Sequence, residues 1–574
     1  MGAADAPTWT VLGRSAGVII AVDLAADGSE RGRESVPADA VVAWIAGREA
    51  SAPPRWVWND TPGWYDPVLE RGHRVARCHD LRLSHAILRD SAFVTTDAAV
   101  RTAREWDAAV AAPDLRPALF DLDRDDESAV LPDGIDAVLA EFARQRSAIA
   151  AATEPARLRL LVAAESAGAL IAAELRSAGL PWDAAAHDRI LTDVLGPRPV
   201  GGGIPEKMDA AARRVRAALD DPTASLDSQP KLLRALHRVG VLVESTSRWE
   251  LAEQQHPVVE PLLEYKKLSR LLSANGWAWL GEWVHDGRFR PVYVPGGVVT
   301  GRWASSGGGA LQIPRQLRAA VRPDPGWRLV VADVAQLEPR VLAAISRDTA
   351  LARAAFGADL YAGIVDLGAV TSRAEAKMAI LGAMYGATTG DSGRLVPRLR
   401  RTFPRAMALV DEAATTGERG GTVSTWLGRS SPAPSAEWLD RQSRASQAEA
   451  ASGDEMRARR GARDRGRFTR NFIVQGSAAE WALSWLADLR QRLAAMPAVA
   501  AGHAAPRSGA AFERRPHLAF FLHDEVIIHT PEELADEVAV ATRDAATAAG
   551  RLLFGDFPVD FPLDLHIADS ADKA

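Results

Sequence analysis

The chain of 574 residues contains a single cysteine, Cys78, and only six lysines among its 68 basic residues. One cysteine excludes an intramolecular disulfide and any multi-cysteine metal cluster, and it suits a reducing compartment. The net charge is −6, so the chain lacks the overall basic charge of many nucleic-acid-binding proteins. Any contact with nucleic acid must therefore come from local patches of cations.

The sequence also lacks an N-terminal basic region followed by an apolar signal core, and it lacks an apolar run of about 18 residues. We therefore expect a soluble cytoplasmic protein with no membrane partner. The chain is too long for one core, so two domains or a multi-lobed second domain are predicted. Residues 1 to about 125 have an α/β pattern, with strands at 18–22 and 55–58. Helices are predicted at 135–151, 154–178, 207–219 and 258–273.

Two apolar, β-type segments end or turn at a carboxylate, namely Asp333 and, far downstream, Asp524. A rigid strand end can direct carboxylate oxygens into a cleft. Two such carboxylates can share two divalent cations about 4 Å apart, which neutralise the attacking and leaving oxygens in phosphoryl or nucleotidyl transfer. Mg²⁺ suits such a site because it keeps waters and takes substrate phosphate oxygens. Alternatively, either aspartate could be an ordinary turn or cap residue.

Between these segments lies a helical pattern over residues 373–386. Arg373, Lys377, Leu381 and Tyr385 follow one another at intervals of four, so they share one helix face. Two cations at one end and an aromatic ring at the other could accommodate a nucleoside triphosphate lengthwise. The alternative is an ordinary solvated face, although a chance lysine is unexpected in so lysine-poor a chain.

Local basic patches occur in two stretches, and the glycine run 201–203 is a third feature that could suggest phosphate binding. The glycine run lacks the Gly-Lys-Ser/Thr ending of a phosphate loop, so we interpret it as a flexible connection. Residues 443–463 could also be a solvated helix or a disordered linker. The patches consist of Arg394, Arg398, Arg400, Arg401 and Arg405, and of Arg457, Arg459, Arg460, Arg463, Arg465, Arg467 and Arg470.

The segments that contain Asp333, residues 373–386 and Asp524 resemble motifs A, B and C of family A DNA polymerases, the DNA polymerase I group. Residues 333–340 are similar to D-Y-S-Q-I-E-L-R, residues 373–386 to R-x-x-x-K-x-x-x-F-G-x-x-Y-G, and residues 523–525 to the H-D-E turn. Four further segments match in order: 300–306 (T-G-R-x-S-S), 311–314 (a shortened L-Q-N-I-P), 422–429 (V-x-T-x-x-G-R) and 467–480 (R-x-x-x-N-x-x-x-Q-G-T-A-A-D). The resemblance spans residues 155–574, and the chain looks most like the short actinobacterial bifunctional 3'-5' exonuclease/DNA polymerase proteins.

The resemblance implies a multi-domain α/β and α+β protein, in which a degenerate ribonuclease H-like exonuclease domain (1–133) precedes a right-hand polymerase domain (134–574). Within the second domain it implies a thumb at about 134–290, a palm at about 291–345 and 471–574, and fingers at about 346–470. The implied activity is template-directed addition of deoxynucleotides to a primer, in DNA repair or gap filling. Primer-template DNA and deoxynucleoside triphosphates are the implied partners of a monomer associated with the bacterial nucleoid.

The same resemblance assigns functions to individual residues. Asp333 and Asp524 would hold two Mg²⁺ ions, for which Mn²⁺ could substitute. Lys377 would contact the triphosphate and is a candidate proton donor to pyrophosphate. Glu338 and Tyr385 would form a gate that excludes ribose. The remaining nucleotide contacts would be Arg373, Leu381, Gln336 and His523, and the DNA contacts Arg302, Arg467, Asn471, Gln475 and Arg429, with Arg302 and Gln475 in the minor groove.

The first domain departs from the exonuclease pattern. Two-metal exonucleases need several carboxylates, beginning with D-x-E on the first strand. Asp23 ends the first predicted strand, but Ala25 stands two positions on. Ser84 replaces the carboxylate of the second motif, and no convincing Y-x-x-x-D follows. We therefore expect a scaffold that has lost its metal site and its 3'-5' exonuclease activity.

The polymerase motifs also depart from the pattern, in the neighbours of the proposed metal and phosphate ligands. The changed positions are Val334, Ala335, Pro339, Ile380 and Leu381. We expect chemistry to persist with altered nucleotide selectivity, because positioning and electrostatics dominate phosphoryl transfer. Two alternatives are an inert DNA-binding protein with a hand-shaped groove and a 3'-5' exonuclease with a decayed polymerase. Retention of Asp333, Lys377 and Asp524 disfavours the first, and the missing exonuclease carboxylates disfavour the second.

Overall fold

The computed structural model describes residues 8–107, 131–307, 309, 313–357, 359–386, 390–447 and 451–572. The chain forms two compact units. The first comprises residues 1–179, 292–307 and 325–568, and the second comprises 180–291, 308–324 and 569–574. Across the described ranges, no helix combines the length and apolarity that a bilayer crossing requires.

The first unit begins with a five-stranded mixed sheet of order β3-β2-β1-β4-β5. Its strands are β1 (Trp9–Ser15), β2 (Val18–Leu24), β3 (Glu30–Val36), β4 (Arg55–Trp58) and β5 (Arg77–Asp80). The predicted strands at 18–22 and 55–58 are confirmed. The assignment of Asp23 to the first strand is wrong, because β1 precedes it. Gly13 and Arg14 weaken the β pattern of β1, so its sequence does not stand out.

Helices cover both faces of this sheet. They are α1 (Val41–Ser51), α2 (Thr61–Glu70), α3 (Leu81–Asp90), α4 (Ile135–Ala151) and α5 (Pro155–Ala178). Trp56 and Trp58 are fully buried on one face, and Val11 and Val57 on the other. The predicted helices 135–151 and 154–178 are confirmed as α4 and α5.

The second unit is mainly helical. Its elements in chain order are β6 (Leu180–Pro181), α6 (Ala184–Leu195), α7 (Glu206–Ala218), α8 (Gln229–Arg238), α9 (Arg248–Ala252), α10 (Val259–Asn275), α11 (Trp277–Trp283), β7 (Val284–His285) and β8 (Arg288–Phe289). The predicted helices at 207–219 and 258–273 are confirmed, and the glycine run 201–203 lies in the connection before α7. The expected thumb range is divided, because α4 and α5 belong to the first unit.

The rest of the first unit contains a four-stranded antiparallel sheet of order β12-β13-β11-β14 and a group of helices around an apolar core. The strands of this sheet are β11 (Trp327–Val334), β12 (His517–Leu522), β13 (Glu525–Pro531) and β14 (Leu563–Ala568). A separate two-stranded sheet consists of β9 (Val292–Val294) and β10 (Ala304–Gly307). The helices are α12 (Leu337–Ser346), α13 (Thr349–Ala355), α14 (Leu360–Asp366), α15 (Arg373–Tyr385), α16 (Gly390–Thr402), α17 (Pro404–Glu418), α18 (Ala436–Ala445), α19 (Ser452–Ala495) and α20 (Ala535–Phe554).

Two sequence predictions concern segments at the edge of the described residues. Leu311 and Gln312 of the L-Q-I-P segment lie outside them. Residues 443–445 belong to α18 and residues 452–463 to α19, residues 446, 447 and 451 connect them, and residues 448–450 lie outside the description. Ion pairs one turn apart, such as Arg457 with Asp454 and Arg459 with Glu455, are typical of a solvated helix.

Candidate active site

Strand pairing brings Asp333 and Asp524 together. Asp333 lies near the end of β11, opposite Glu525 of β13 and Asp564 of β14. Asp524 lies in the tight turn between β12 and β13, where His523 has a φ of 56°. The backbone N–H of Val334 donates to the carbonyl oxygen of Asp524 at 2.9 Å. The two predicted carboxylates are therefore neighbours at one end of the two inner strands of this sheet.

The electrostatics around Asp333 and Asp524 favour a cation. Burial and the negative charge of Asp333 raise the pKa of Asp524 to about 7, against the opposing effect of Arg302. Burial and the nearby Arg302 lower the pKa of His523 to about 4, so this imidazole is neutral at pH 7. A divalent cation between the two carboxylates would relieve their repulsion.

The residues present fit a sparsely coordinated metal ion. Within the described part of the chain, no group of three or more His, Cys, Asp or Glu side chains is arranged to hold a metal. The carboxylate oxygens of Asp333 and Asp524 are the type of donor that Mg²⁺ takes, together with waters and substrate oxygens. The same oxygen donors can accept Mn²⁺.

A cavity of about 320 Å³ opens beside Asp524. It combines apolar walls with a few polar groups, as small-molecule sites commonly do. Its lining includes six of the predicted residues besides Asp524: Arg302, Gln336, Glu338, Leu381, Tyr385 and His523. Sequence reasoning did not identify the aromatic walls Trp303, Tyr361 and Phe521, which come from three separate segments.

Glu338 lines the cavity and is held in place by two hydrogen bonds. Its carboxylate accepts hydrogen bonds from the Tyr385 hydroxyl and the Arg302 guanidinium. Burial and the bond to Glu338 raise the pKa of Tyr385, so the phenol stays protonated as the donor. The expected proximity of Glu338 and Tyr385 is thus present, whereas the ion pair with Arg302 was not predicted.

Helix α15 exposes to solvent the face that was predicted to bind a nucleoside triphosphate. The Ser372 side chain caps its first turn by accepting from the N–H of Glu375. Arg373, Lys377 and Tyr385 are exposed, and Leu381 is partly buried, while the opposite side packs into the helical core. Arg373 is engaged with Asp359 at 2.6 Å. A phosphate ligand would therefore compete with this exposed carboxylate.

Gln336 has a supporting position in this structure. It adopts a left-handed backbone conformation before α12, and its Oε1 accepts from the N–H of Leu360 at 3.2 Å. Arg340, which is fully buried, donates to Asp560 at 2.8 Å. These contacts join the start of α12 to α14, and α12 to the segment before β14.

The residues predicted to contact DNA differ in their surroundings. Arg467, Asn471 and Gln475 lie four residues apart on α19 and so share one face. Gln475 accepts from the Thr300 hydroxyl at 3.0 Å, and Asn471 Oδ1 is buried with no hydrogen-bond partner among the described residues. Arg429 is different, because its side chain is only 12% exposed and pairs with Glu165 at 2.6 Å.

The exonuclease-like positions make structural contacts. Asp23 accepts from the Thr10 hydroxyl at 2.7 Å and from Arg48 at 2.8 Å. Asp80 caps α3 by accepting from the N–H of Leu83 at 2.9 Å, and Ser84 is fully buried. Sequence reasoning missed the buried contact between His85 and Glu141, 2.9 Å apart, because no local pattern links residues so distant in the chain.

Glu480 of α19 is a buried carboxyl close to the site. It accepts hydrogen bonds from the Thr425 hydroxyl and, at 2.9 Å, from the N–H of Leu427. Burial raises the pKa of Glu480 to about 7, although both hydrogen bonds oppose the shift. Glu480 therefore holds the loop 425–429 against α19.

Comparison with known proteins gives a family and a fold. The profile of DNA polymerase family A matches residues 240–571. The chain is similar to the thermostable DNA polymerase I of Thermus filiformis, with 27% identity over 348 residues, which is 55% of this chain and 36% of that protein. It is similar to DNA polymerase I of Chloroflexus aurantiacus, with 29% identity over 353 residues, 56% of this chain and 33% of that protein. The aligned part is thus about a third of each relative's length.

A solved structure extends the likeness to the whole chain. It is described as the POL domain of Pol1 from M. smegmatis in complex with DNA primer-template and dNTP. The TM-score is 0.65 at 18% sequence identity, and the match covers 98% of this chain and 95% of that chain. At this identity the likeness shows the fold, which is mixed α and β.

Glu480 generates a prediction about stability and pH. Its pKa is raised from 4.5 to about 7, so the folded protein binds this proton more tightly than the unfolded chain does. The stabilisation is complete below pH 4.5 and is lost as pH rises through 7. The free energy of unfolding of Glu480→Gln, relative to wild type, should therefore increase by up to about 3 kcal/mol between pH 5 and pH 8.

Urea unfolding at several pH values measures this difference. Glu174→Gln is the matched control, because Glu174 is equally buried but Arg490 and Arg74 outweigh burial and lower its pKa to about 2. The stabilisation that the ionised Glu174 provides is lost as pH falls from 4.5 through 2. The difference in unfolding free energy between Glu174→Gln and wild type should therefore stay nearly constant between pH 5 and pH 8. A flat difference for Glu480→Gln over this range would contradict the assigned pKa.

Proposed function

Because this chain belongs to DNA polymerase family A, we propose that it extends the 3' end of a primer on a DNA template, adding deoxynucleotides by nucleotidyl transfer, in DNA repair or gap filling. The observation that carries the proposal is the meeting of Asp333 and Asp524 beside a cavity walled by the 381–385 end of α15. The similar POL domain of M. smegmatis Pol1 is a complex with DNA primer-template and dNTP, which supports the same substrates. We propose a monomer acting in the bacterial cytoplasm at the nucleoid.

The domain assignment is part of this proposal. Residues 1–133 would be the degenerate exonuclease-like domain, and its mixed sheet flanked by helices supports this. Residues 134–574 would be the polymerase domain. Its palm would include the sheet that carries Asp333 and Asp524, and its fingers would include α15. The thumb would occupy about 134–290, of which residues 180–290 belong to the second compact unit and α4 and α5 to the first.

Asp333 and Asp524 would hold the metal ions, which when bound neutralise the charge that develops on the reacting oxygens. Arg373 and Lys377 would bind the triphosphate, and Arg373 would exchange Asp359 for phosphate. Lys377, as an exposed ammonium on the same face, could deliver a proton to the leaving pyrophosphate. Positioning by these cations would provide most of the catalytic effect.

The nucleoside would occupy the cavity. Leu381 and the Tyr385 ring would pack against the base and sugar, with His523 neutral at the rim. Glu338, fixed by the Tyr385 hydroxyl, would exclude a 2'-hydroxyl by its bulk and by the desolvation that a ribose would suffer there. Arg302 would leave Glu338 to reach the minor-groove edge of the primer terminus, together with Gln475.

The first prediction of this proposal concerns the metal ligands. Asp333→Ala or Asp524→Ala should reduce primer extension by roughly a thousandfold or more, because charge stabilisation in the transition state is lost. Affinity for primer-template, measured by fluorescence anisotropy, should stay near wild type. Asp564→Ala is the matched control on the neighbouring strand and should extend normally. Near-normal incorporation by either metal-ligand variant would refute the assignment.

A second prediction concerns sugar selection. Glu338→Ala should incorporate ribonucleotides more readily than wild type, because the carboxylate no longer fills the position next to C2'. Tyr385→Phe keeps the ring and removes only the bond to Glu338, so it should relax selectivity less. Single-nucleotide incorporation with paired dNTP and rNTP substrates gives the ratio. A wild type that uses both sugars equally would show that the gate does not operate, with Val334 and Leu381 as the altered neighbours to examine.

The third prediction is that the N-terminal domain lacks 3'-5' exonuclease activity. Asp23 and Asp80 are bonded to Thr10, Arg48, Thr61 and Leu83, and Ala25 and Ser84 provide no carboxylates. Labelled single-stranded and mispaired 3' ends should remain intact in Mg²⁺ or Mn²⁺ without nucleotides. Metal-dependent digestion that survives Asp524→Ala and disappears with Asp23→Ala would overturn this expectation.

A further inference from the structure

The turn that carries Arg302 is supported by a buried ion pair that does not touch the cavity. Glu165 of α5 is 1% exposed and accepts from the Arg429 guanidinium at 2.6 Å. Burial raises the pKa of Glu165, and Arg429 opposes the shift. Breaking such a pair leaves an uncompensated buried charge, which is costly.

Arg429 packs directly on the residue before Arg302. Gly301 has a φ of +86°, and a Cβ atom at this position would lie 2.6 Å from Arg429 Nε. The backbone of the turn is closed by two hydrogen bonds, from Gly301 N–H to Val298 and from Val298 N–H to Arg302, at 2.8 and 3.1 Å. The planar guanidinium therefore covers the face of Gly301 and fixes this turn.

Helix α5 also supports the residue after Arg302. A Cβ atom at Gly168, about one turn from Glu165, would lie 3.4 Å from Trp303 Cζ2. The Trp303 ring in turn packs edge-on against Phe521, with ring centroids 5.0 Å apart. The same helix thus reaches both sequence neighbours of Arg302, one through an ion pair and one by direct packing.

The position of α5 depends on the N-terminal sheet. The hydroxyl of Ser166, next to Glu165, accepts from the N–H of Asp80 at 3.1 Å. The thiol of Cys78 donates to the carbonyl oxygen of Ser166 at 3.3 Å. The end of β5, within the segment that resembles the second exonuclease motif, therefore anchors the helix that supports the Arg302 turn.

We propose that Glu165, acting through Arg429, is a positioning residue that sets Arg302 for the primer terminus. The proposal rests on the proposed primer extension and assigns to Arg429 a structural contact in place of contact with DNA. The N-terminal domain then contributes to synthesis by holding α5, through contacts that need no exonuclease chemistry.

A double-mutant cycle tests the proposal. Glu165→Gln should lower kcat for extension of a matched primer by about tenfold or more, because a small displacement of a positioned group is costly. It should also reduce discrimination against mispaired primer ends, while affinity for primer-template stays close to wild type. In an Arg302→Ala background the same substitution should cause little further loss, since it acts through Arg302.

The matched control is Glu174→Gln. Glu174 lies on the same helix, is equally buried and pairs with Arg490 at 2.7 Å, but its bonded partners lie away from the 298–302 turn. This control should lose thermal stability without changing discrimination at the primer end. If Glu165→Gln does not fold, Arg429→Lys keeps the charge but withdraws the planar group from Gly301, and it should give the same kinetic result.

Two results would overturn the proposal. One is that Glu165→Gln lowers kcat for primer extension by the same factor in the wild-type and Arg302→Ala backgrounds. The other is that Glu165→Gln changes kcat and discrimination at the primer end no more than Glu174→Gln does. Failure of the proposed function itself is distinguishable, because then the wild-type protein would show no template-directed extension beyond that of Asp333→Ala.

Discussion

The antiparallel pairing of β11 with β13 is the constraint on which the site depends. It places Asp333 beside the turn that holds Asp524, and burial together with the negative charge of Asp333 raises the pKa of Asp524 to about 7. The fold therefore holds two carboxyl groups close together, with Arg302 as a nearby positive charge. This is the electrostatic condition that a divalent cation satisfies, and every other residue of the site is arranged around it.

Local features of the site could be predicted from the sequence. The strand ending at Asp333, the turn at Asp524 and the helix 373–386 each have a clear period or turn signal, and α15 exposes the predicted face. Contacts between distant segments could not be predicted in this way. The pair formed by Arg429 and Glu165 joins residues 264 positions apart, and the bond from Arg302 to Glu338 depends on how β10 and α12 approach each other. Asp23 lies in the second strand and not in the first as predicted, because β1 has a weak strand pattern.

In the N-terminal domain, the positions that we expected to carry exonuclease carboxylates make structural contacts. The carboxylates that remain near the expected exonuclease positions are engaged as caps or ion pairs, and His85, Glu141 and Gln145 form a buried network among themselves. The domain also supports α5 through Ser166 and Glu174. The N-terminal sheet therefore belongs to the same compact unit as the strands that carry Asp333 and Asp524.

We propose that Asp333 and Asp524 hold two metal ions once primer-template and dNTP are bound. The most direct measurement is Mn²⁺ binding, followed by electron paramagnetic resonance, in a complex of the protein with primer-template that ends in a dideoxynucleotide and the next complementary dNTP. We expect the complex of the wild-type protein to bind two Mn²⁺ ions, and we expect Asp333→Ala and Asp524→Ala to lose this binding. Unchanged Mn²⁺ binding by both variants would contradict it.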